Sequence, residues 1–253
     1  MNYRKRIKIW LSVLQSFLIS FPGIHGRFLC PEDTVNELLS KRSLIRFGDG
    51  EFGIFRGKDI HYQKWSPDLQ KAFEAIKNEY EAGCGNCPYL LAMPRKFLTV
   101  SGFKLMKRRV YVSSWAESRR DFKRNFRHNI PYGDSFLFEK KNKPIYSRIW
   151  ESDTCPENVI FIHNDHECAA NFENTYRKKV MFIQCPPRDA FEQLGSLERH
   201  VMRTIEENQW MPENVMLTIS AGPAGKVLTY RLSKKGYWCI DAGHCWDDPL
   251  EGI

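Results

Sequence analysis

The chain has 253 residues, of which 42% are hydrophobic and 27% are charged, and its formal net charge is +8. This composition excludes an intrinsically disordered chain, and the length suffices for one large α/β domain with a buried core. The positive charge indicates an anionic partner such as a nucleotide phosphate or an acidic membrane surface, while the lack of any zinc-finger or RNA-binding signature argues against nucleic acid.

The first 30 residues form a segment of their own ahead of a single domain at 31–253. Four basic residues between positions 4 and 8 precede an apolar stretch at 9–21 that serines and Gln15 interrupt. A bilayer-spanning helix needs about 20 mainly apolar residues, so this stretch is too short and too polar to cross. Two interpretations remain: a packed first helix, which we favour, or a basic amphipathic helix in peripheral contact with the inner face of the cell membrane.

Helix and strand signals alternate along the rest of the chain. Thr34 and Glu37 have capping-box spacing, residues 44–47 read as the first core strand, and Ser66 precedes a helix that ends at Gly83. Apolar runs predict five more strands, at 110–113, 159–163, 180–184, 215–219 and 237–240, and helices are predicted at 190–209 and 223–235. This alternation predicts an α/β fold with a mostly parallel sheet and helices on both faces. Residues 125–157 are less regular and predict an insertion or lid.

Eight cysteines are present, and several, including Cys185 and Cys239, lie in apolar runs. Their placement predicts reduced, buried thiols rather than a disulfide framework, and therefore a cytoplasmic location. Cys84 and Cys87 have the spacing of half a zinc site, but no second pair completes it.

Residues 43–51 are the most informative stretch, because an apolar run breaks into two carboxylates, Asp49 and Glu51, with Gly50 between them. Carboxylates so close in sequence repel each other unless a cation lies between them, and hard oxygen ligands suit Mg²⁺ or Mn²⁺. The alternative is that Asp-Gly simply makes a tight turn.

Polar clusters follow most of the predicted strands. Because ligands bind beyond the carboxyl ends of the strands in open parallel sheets, these clusters should share one rim. The turn at 220–226 joins a strand to a helix whose first-turn amides favour an anion, although a small-residue packing turn explains it equally well. Asp241 and His244 close the last strand, and His244 is either a general base on an acceptor hydroxyl, a metal ligand or a structural histidine.

Two further features are candidates for the same rim. The segment 163–166 has the residue types of a metallohydrolase, although Asp165 or Asn164 would also cap the helix that follows. Arg148 is a candidate for pairing with a diphosphate, because its guanidinium suits two oxygen contacts.

With these residues assembled, the sequence resembles the GT-D type glycosyltransferases, a bacterial family with a Rossmann-like fold and an Asp-x-Glu metal motif. The resemblance runs from about position 39 to 244. It is strongest over seven consecutive residues, Arg-Phe-Gly-Asp-Gly-Glu-Phe at 46–52, and continues at Tyr62-Gln63, Ser147-Arg148, 185–191, Gly222-Pro223 and 240–244.

The resemblance implies transfer of a hexosyl group from a nucleotide-sugar, a UDP-sugar, to a hydroxyl of a glycan acceptor that is lipid-linked or protein-linked. Asp49 and Glu51 would hold Mn²⁺ or Mg²⁺ against the donor diphosphate, and His244 would be the base of an inverting displacement. The synthesis of a surface polysaccharide or a glycoprotein glycan would be the setting. The remaining donor-binding residues would be Arg46, Gln63, Arg148, Gly222, Pro223 and Asp241.

The chain departs from the family pattern in the turn at 221–225, which lacks the usual hydroxyl residue, so the resemblance does not carry donor or acceptor specificity. Two other functions remain open: a metal-dependent phosphoesterase that uses Asp49, Glu51 and the segment 163–166, and a nucleotide-sugar-binding module without catalysis.

Overall fold

The structure is a computed structural model, and it describes residues 3–107 and 112–246. The strands are β1 Arg27–Phe28, β2 Ser43–Arg46, β3 Tyr89–Met93, β4 Pro131–Asp134, β5 Asn158–His163, β6 Lys179–Gln184, β7 Val215–Ile219 and β8 Trp238–Asp241. The helices are α1 Tyr3–Ile19, α2 Pro31–Leu39, α3 Asp49–Phe55, α4 Pro67–Gly83, α5 Arg95–Thr99, α6 Gly102–Lys107, α7 Val112–Asn125, α8 Lys143–Tyr146, α9 Arg148–Glu151, α10 His166–Tyr176, α11 Leu194–Glu207 and α12 Gly222–Ser233.

The strands form one sheet in the order β1-β4-β3-β2-β8-β7-β5-β6, and every strand pair is parallel. The predicted α/β class with a parallel sheet is therefore confirmed. Strands β3, β7 and β8 are buried along their whole length, which explains why their sequences are apolar runs without alternation. Strand β2 has β3 as its neighbour on one side and β8 on the other, so the strand order reverses between β2 and β8. Ligands bind at such a reversal in open parallel sheets, and the expected crevice therefore lies between β2 and β8.

Local sequence signals account for most of these elements. The Ser66 hydroxyl accepts a hydrogen bond from the backbone N–H of Leu69, α4 ends at Gly83, and its buried face is the predicted one, with Phe73 and Tyr80 at its centre. The predicted capping box at Thr34 is wrong, because α2 begins at Pro31. The Thr34 hydroxyl lies inside the helix, where it donates to the Cys30 carbonyl.

The predicted strand at 110–113 is wrong where the structure describes it, and residues 110 and 111 lie outside the described part. Val112 begins α7, in which Trp115, Arg119 and Phe122 recur with helical spacing and are buried. This helical period outweighs the β-branched run that suggested a strand. The irregular region at 125–157 contributes β4, α8 and α9 to the fold.

Helix α1 packs against α7. Basic side chains of α7 bind the carbonyls at the end of α1: Lys123 donates to Ile19 at 2.9 Å, and Arg119 donates to Ser20. Cations at this end also suit the helix dipole. Burial lowers the pKa of Arg119 to about 10. Among the described helices, none combines the length and the apolar character needed to cross a bilayer.

Asp134, at the end of β4, gives a pH-dependent prediction. Burial raises the pKa of its carboxyl to about 6, although the backbone N–H of Phe136 donates to it at 3.0 Å. Because the unfolded value is about 4, folding disfavours the charged form, and the free energy of unfolding falls as the pH rises from about 4 to 6. Asp134→Asn keeps the acceptor and removes the charge, so we expect the variant to be more stable than wild type by about 1–2 kcal/mol at pH 7 and little changed at pH 4.

Urea unfolding at the two pH values measures this difference. Asp153→Asn, at an exposed turn position, is the matched control and should change stability by less than about 0.5 kcal/mol at either pH. A less stable Asp134→Asn protein at pH 7 would contradict the assignment.

Candidate active site

A cleft of about 1050 Å³ opens beyond the carboxyl ends of β2 and β8. Asp49 and Glu51 reach it from the turn after β2, Gly222 and Pro223 from the start of α12, and His244 from the turn after β8. The cleft therefore lies at the crevice that the strand order predicts. Arg188, from the loop after β6, adds an exposed cation to its wall.

A buried ion pair lies beneath the cleft. The Lys226 ammonium is 3.2 Å from Glu51 Oε1 and 3.4 Å from Asp241 Oδ2, and all three side chains are almost fully buried. Burial by itself would lower the pKa of Lys226, but the carboxylates of Asp241 and Glu51 outweigh it and raise the pKa above its usual value. Lys226 is therefore a permanent cation between two carboxylates.

Arg46 completes this arrangement, which we call the buried charge network: Arg46, Glu51, Lys226 and Asp241. The backbone N–H of Arg46 donates to Asp241 Oδ2 at 3.0 Å, its Nε donates to the Asp241 carbonyl at 2.7 Å, and its Nη1 donates to the Ser135 carbonyl at 2.9 Å. Two cations balance two carboxylates, so the network is neutral. Gly243 has a φ of +56°, and a Cβ atom there would lie 1.8 Å from Arg46 Nη2, so only glycine fits beside the guanidinium.

Asp49 and Glu51 have different surroundings because both lie in the first turn of α3, where residues two apart do not face each other. Glu51 Oε2 accepts a bond from the backbone N–H of Gly48 at 2.7 Å, and Oε1 faces Lys226. Asp49 is half-buried, lines the cleft and accepts a bond from the Ser114 hydroxyl of α7. In the part of the chain that the structure describes, no group of three or more His, Cys, Asp and Glu residues is placed to hold a metal.

Tyr62 and Gln63 belong to the loop that forms another wall. Gln63 is buried, and its Oε1 accepts a bond from the backbone N–H of Phe191 at 3.1 Å, so its amide anchors the loop. The Tyr62 ring lies 6.0 Å from the His244 ring and packs against Gly222, where φ is +53° and a Cβ atom would come within 2.8 Å of the ring. Burial and the nearby Glu51 carboxylate raise the pKa of Tyr62 to about 12, which keeps the phenol protonated.

Two candidates from the sequence lie apart from this arrangement. Arg148 does not line the cleft, and its guanidinium binds Glu32 at 2.6 Å and Asn36 at 3.1 Å. We therefore assign it no part in donor binding.

In the segment 163–166, only Asn164 lines the cleft. The backbone N–H of Asp165 donates to His163 Nδ1 at 2.9 Å, and the Asp165 carboxylate caps α10. The polar groups of this segment therefore stabilise a turn. They do not converge with Asp49 and Glu51 into the set of metal ligands that the phosphoesterase alternative requires.

Lys226 is the residue that sequence reasoning missed. It was visible only as the end of the turn at 220–226, without a role. The available signal was its position one turn into a helix that starts at the rim, because helical side chains tilt back toward the helix N-terminus and so toward the strand ends.

The family model described as the glycosyltransferase GT-D fold matches residues 44–248. The chain belongs to the GT-D glycosyltransferase family. This membership agrees with the resemblance carried by residues 46–52, and the match includes every member of the buried charge network.

Curated relatives of this GT-D chain come from streptococci. It is 22% identical over 227 residues to "Probable glycosyl transferase Gly" of Streptococcus gordonii, and 23% identical over 235 residues to "Glycosyltransferase GlyD" of Streptococcus pneumoniae serotype 4. Each match covers 84% of this chain but only 31% and 26% of the respective relative, so the chain spans less than a third of their length.

Solved structures show the same fold. A structure described as a new glycosyltransferase (DUF1792) from Streptococcus sanguinis matches with a TM-score of 0.66 and 21% identity, over 88% of this chain and 82% of that one. A second, described as the domain of unknown function 1792 with a distinct glycosyltransferase fold, matches with a TM-score of 0.67 and 18% identity, over 95% and 83% of the two chains.

Proposed function

We propose that this GT-D protein transfers a hexosyl group from a UDP-sugar to a hydroxyl of a glycan acceptor, with inversion at the anomeric carbon. The observation that carries the proposal is that Asp49 and the start of α12 line one cleft, above a neutral charge network. The amides at the helix start favour an anion, and Arg188 adds positive charge at the wall. A nucleoside diphosphate has the charge and size that such a cleft accommodates.

A divalent ion fits the site through Asp49. Its carboxylate is a hard oxygen ligand that lines the cleft, and among residues 3–107 and 112–246 its one hydrogen-bond partner is the Ser114 hydroxyl. When bound, Mn²⁺ or Mg²⁺ would neutralise charge on the departing nucleotide. Glu51 has both oxygens engaged, so we propose that it orients the turn and holds Lys226, and joins the ion only if Lys226 moves away.

The residues around this position have separate roles in the proposal. The buried charge network fixes the ends of β2 and β8, and through Glu51 it holds the turn that carries Asp49. The protonated Tyr62 closes the cleft next to Gly222. His244 is exposed at the cleft, where it can take the proton of an acceptor hydroxyl.

Replacing His244 with Ala should lower kcat for transfer by about 100-fold or more, since a positioned base contributes 10²–10⁴-fold, and should leave UDP binding unchanged. Transfer assays and calorimetry with UDP measure the two effects. The matched control is His61→Ala, because His61 is also an exposed histidine of the cleft wall, and its loss should have little effect. Full transfer activity in the His244→Ala protein removes the assignment, and a loss in His61→Ala alone transfers it to His61.

The function itself is tested by incubating the protein with a panel of UDP-sugars and Mn²⁺, with and without glycan acceptors. A transferase forms an extended glycan and releases UDP chiefly when an acceptor is present. Release of the same sugar and nucleotide products either way would indicate a hydrolase. Donor binding without turnover on any acceptor would indicate a binding module.

A further inference from the structure

Helix α1 contacts the domain through a side that carries serines, whereas an ordinary surface helix buries its apolar side. Ser16 and Ser20 are buried, and Ser12 lies on the same side, one turn before Ser16. Their contacts are internal: the Ser16 hydroxyl donates to the Ser12 carbonyl at 2.7 Å, and Arg120 of α7 donates to Ser16 Oγ at 2.9 Å. A helix that only covered the domain would bury its apolar stripe instead.

The apolar stripe of α1 faces outward. Six large hydrophobic side chains of α1 have exposed fractions that run from 43% for Ile7 to 75% for Tyr3, whereas Phe17 packs against the core. Phe103 and Met106 of α6 are 67% and 60% exposed, and the Phe103 ring lies 4.8 Å from that of Phe21, just after α1. We call this set the α1–α6 apolar surface: Tyr3, Ile7, Trp10, Leu11, Leu14, Leu18, Phe103 and Met106.

The exposed large hydrophobic side chains are concentrated on one face of the protein. Within residues 3–107 and 112–246, all but two of the exposed large hydrophobic side chains belong to the α1–α6 apolar surface, and the exceptions are Met181 and Met211. A contiguous apolar patch with a polar border marks an interaction site on a soluble domain.

The charges around the surface identify the partner. Arg4 is exposed on α1, Lys104 and Lys107 are exposed on α6, and neither helix contains an acidic residue. Trp10 and Tyr3 are the residue types that prefer the boundary between headgroups and acyl chains. Basic residues beside such an apolar stripe are the pattern of a helix that lies in the interface of an anionic bilayer.

We propose that the α1–α6 apolar surface docks this protein on an anionic lipid bilayer, with α1 parallel to the membrane plane. The opposite side of the same helix faces the active site, since Lys8, Ser12 and Val13 line the cleft. The docked protein therefore holds its cleft beside the lipid headgroups. This proposal does not depend on the chemistry of the cleft.

Cosedimentation with lipid vesicles tests the proposal without an activity assay. The protein should bind vesicles of phosphatidylcholine mixed with phosphatidylglycerol, bind pure phosphatidylcholine vesicles more weakly, and lose binding to the mixed vesicles at high salt. The double variant Trp10→Ser with Leu14→Ser should bind the mixed vesicles at least about tenfold more weakly. Both side chains are exposed, so thermal unfolding should be unchanged.

The matched control is Met181→Ser with Met211→Ser, which removes the two exposed methionines elsewhere and should bind like wild type. Equal vesicle binding by the Trp10 and Leu14 variant would overturn the proposal, as would an absence of binding to the mixed vesicles. Sedimentation velocity tests whether a second copy of the chain, rather than lipid, covers the surface. A dimer that the Trp10 and Leu14 variant dissociates would assign the surface to that second copy.

Discussion

Replacing Lys226 with Met should destabilise the protein by about 3–5 kcal/mol, because the substitution leaves the Glu51 and Asp241 carboxylates buried against a single remaining cation, Arg46. Methionine has a similar length, so packing changes little. Urea unfolding at pH 7 measures the loss. The raised pKa of Lys226 means that its stabilising charge is fully present below about pH 10.4, the unfolded value, and is lost only as the pH rises through the still higher folded value. The charge of Lys226 is therefore insensitive to pH near neutrality.

A matched lysine in the same part of the chain serves as the control. Lys234 pairs with Glu79 at 2.8 Å, but its side chain is 46% exposed, so Lys234→Met should cost at most about 1 kcal/mol. The decisive comparison adds Glu51→Gln to Lys226→Met, which restores a neutral network. The double variant should be more stable than Lys226→Met alone, whereas additive losses would show that charge balance is not what Lys226 supplies.

Replacing Asp49 with Asn should abolish the dependence of transfer on divalent ions and lower kcat by about 100-fold or more, because an ion at the donor diphosphate contributes several kcal/mol. The fold should persist, since Asn keeps an acceptor for the Ser114 hydroxyl. Measuring the transfer rate against Mn²⁺ concentration gives both quantities. Asp59→Asn is the matched control: Asp59 also lines the cleft, but its carboxylate accepts the backbone N–H of Trp65 at 2.7 Å, a role that Asn preserves. A wild-type Mn²⁺ response in Asp49→Asn would contradict the metal proposal.

Glu51→Gln shows how the structure changes an expectation drawn from sequence. The Asp-x-Glu motif predicts two equivalent ligands and hence two substitutions that affect activity alone. In the fold, Glu51 is buried and opposes Lys226, so Glu51→Gln should also reduce stability. Sequence spacing gave no sign of this difference, because it arises from the position of both residues in one helical turn and from a lysine far along the chain.

The sheet was predictable where apolar runs are flanked by clear turn signals. Strands β2, β5, β6, β7 and β8 occur within a residue or so of the predicted runs, and this was enough to place Asp49, Gly222, Asp241 and His244 at one rim. Strand β3 was not assigned, and Val112 was misread as part of a strand. Short apolar runs do not distinguish a strand from a buried helix segment without knowledge of what packs on them.

Helix α1 exposes a different limit of sequence reasoning. Its periodicity is visible in the sequence, and an apolar stripe normally predicts the buried face. Here the bonds that attach α1 come from Arg119, Arg120 and Lys123 on α7, and they select the serine side. These bonds join two helices that are far apart in the sequence, so the local sequence of α1 does not predict them.

Helix α1 lies between the cleft and the α1–α6 apolar surface, and this position has a thermodynamic consequence. A donor or acceptor that touches Lys8 or Val13 from within the cleft, and a bilayer that touches Trp10 from outside, would both act on a single equilibrium, the attachment of α1 to α7. Reciprocity then requires that each occupant change the affinity of the other by the same factor. Where both occupants favour the attached helix, lipid would tighten the hold on substrate, and substrate would lengthen the time spent on lipid.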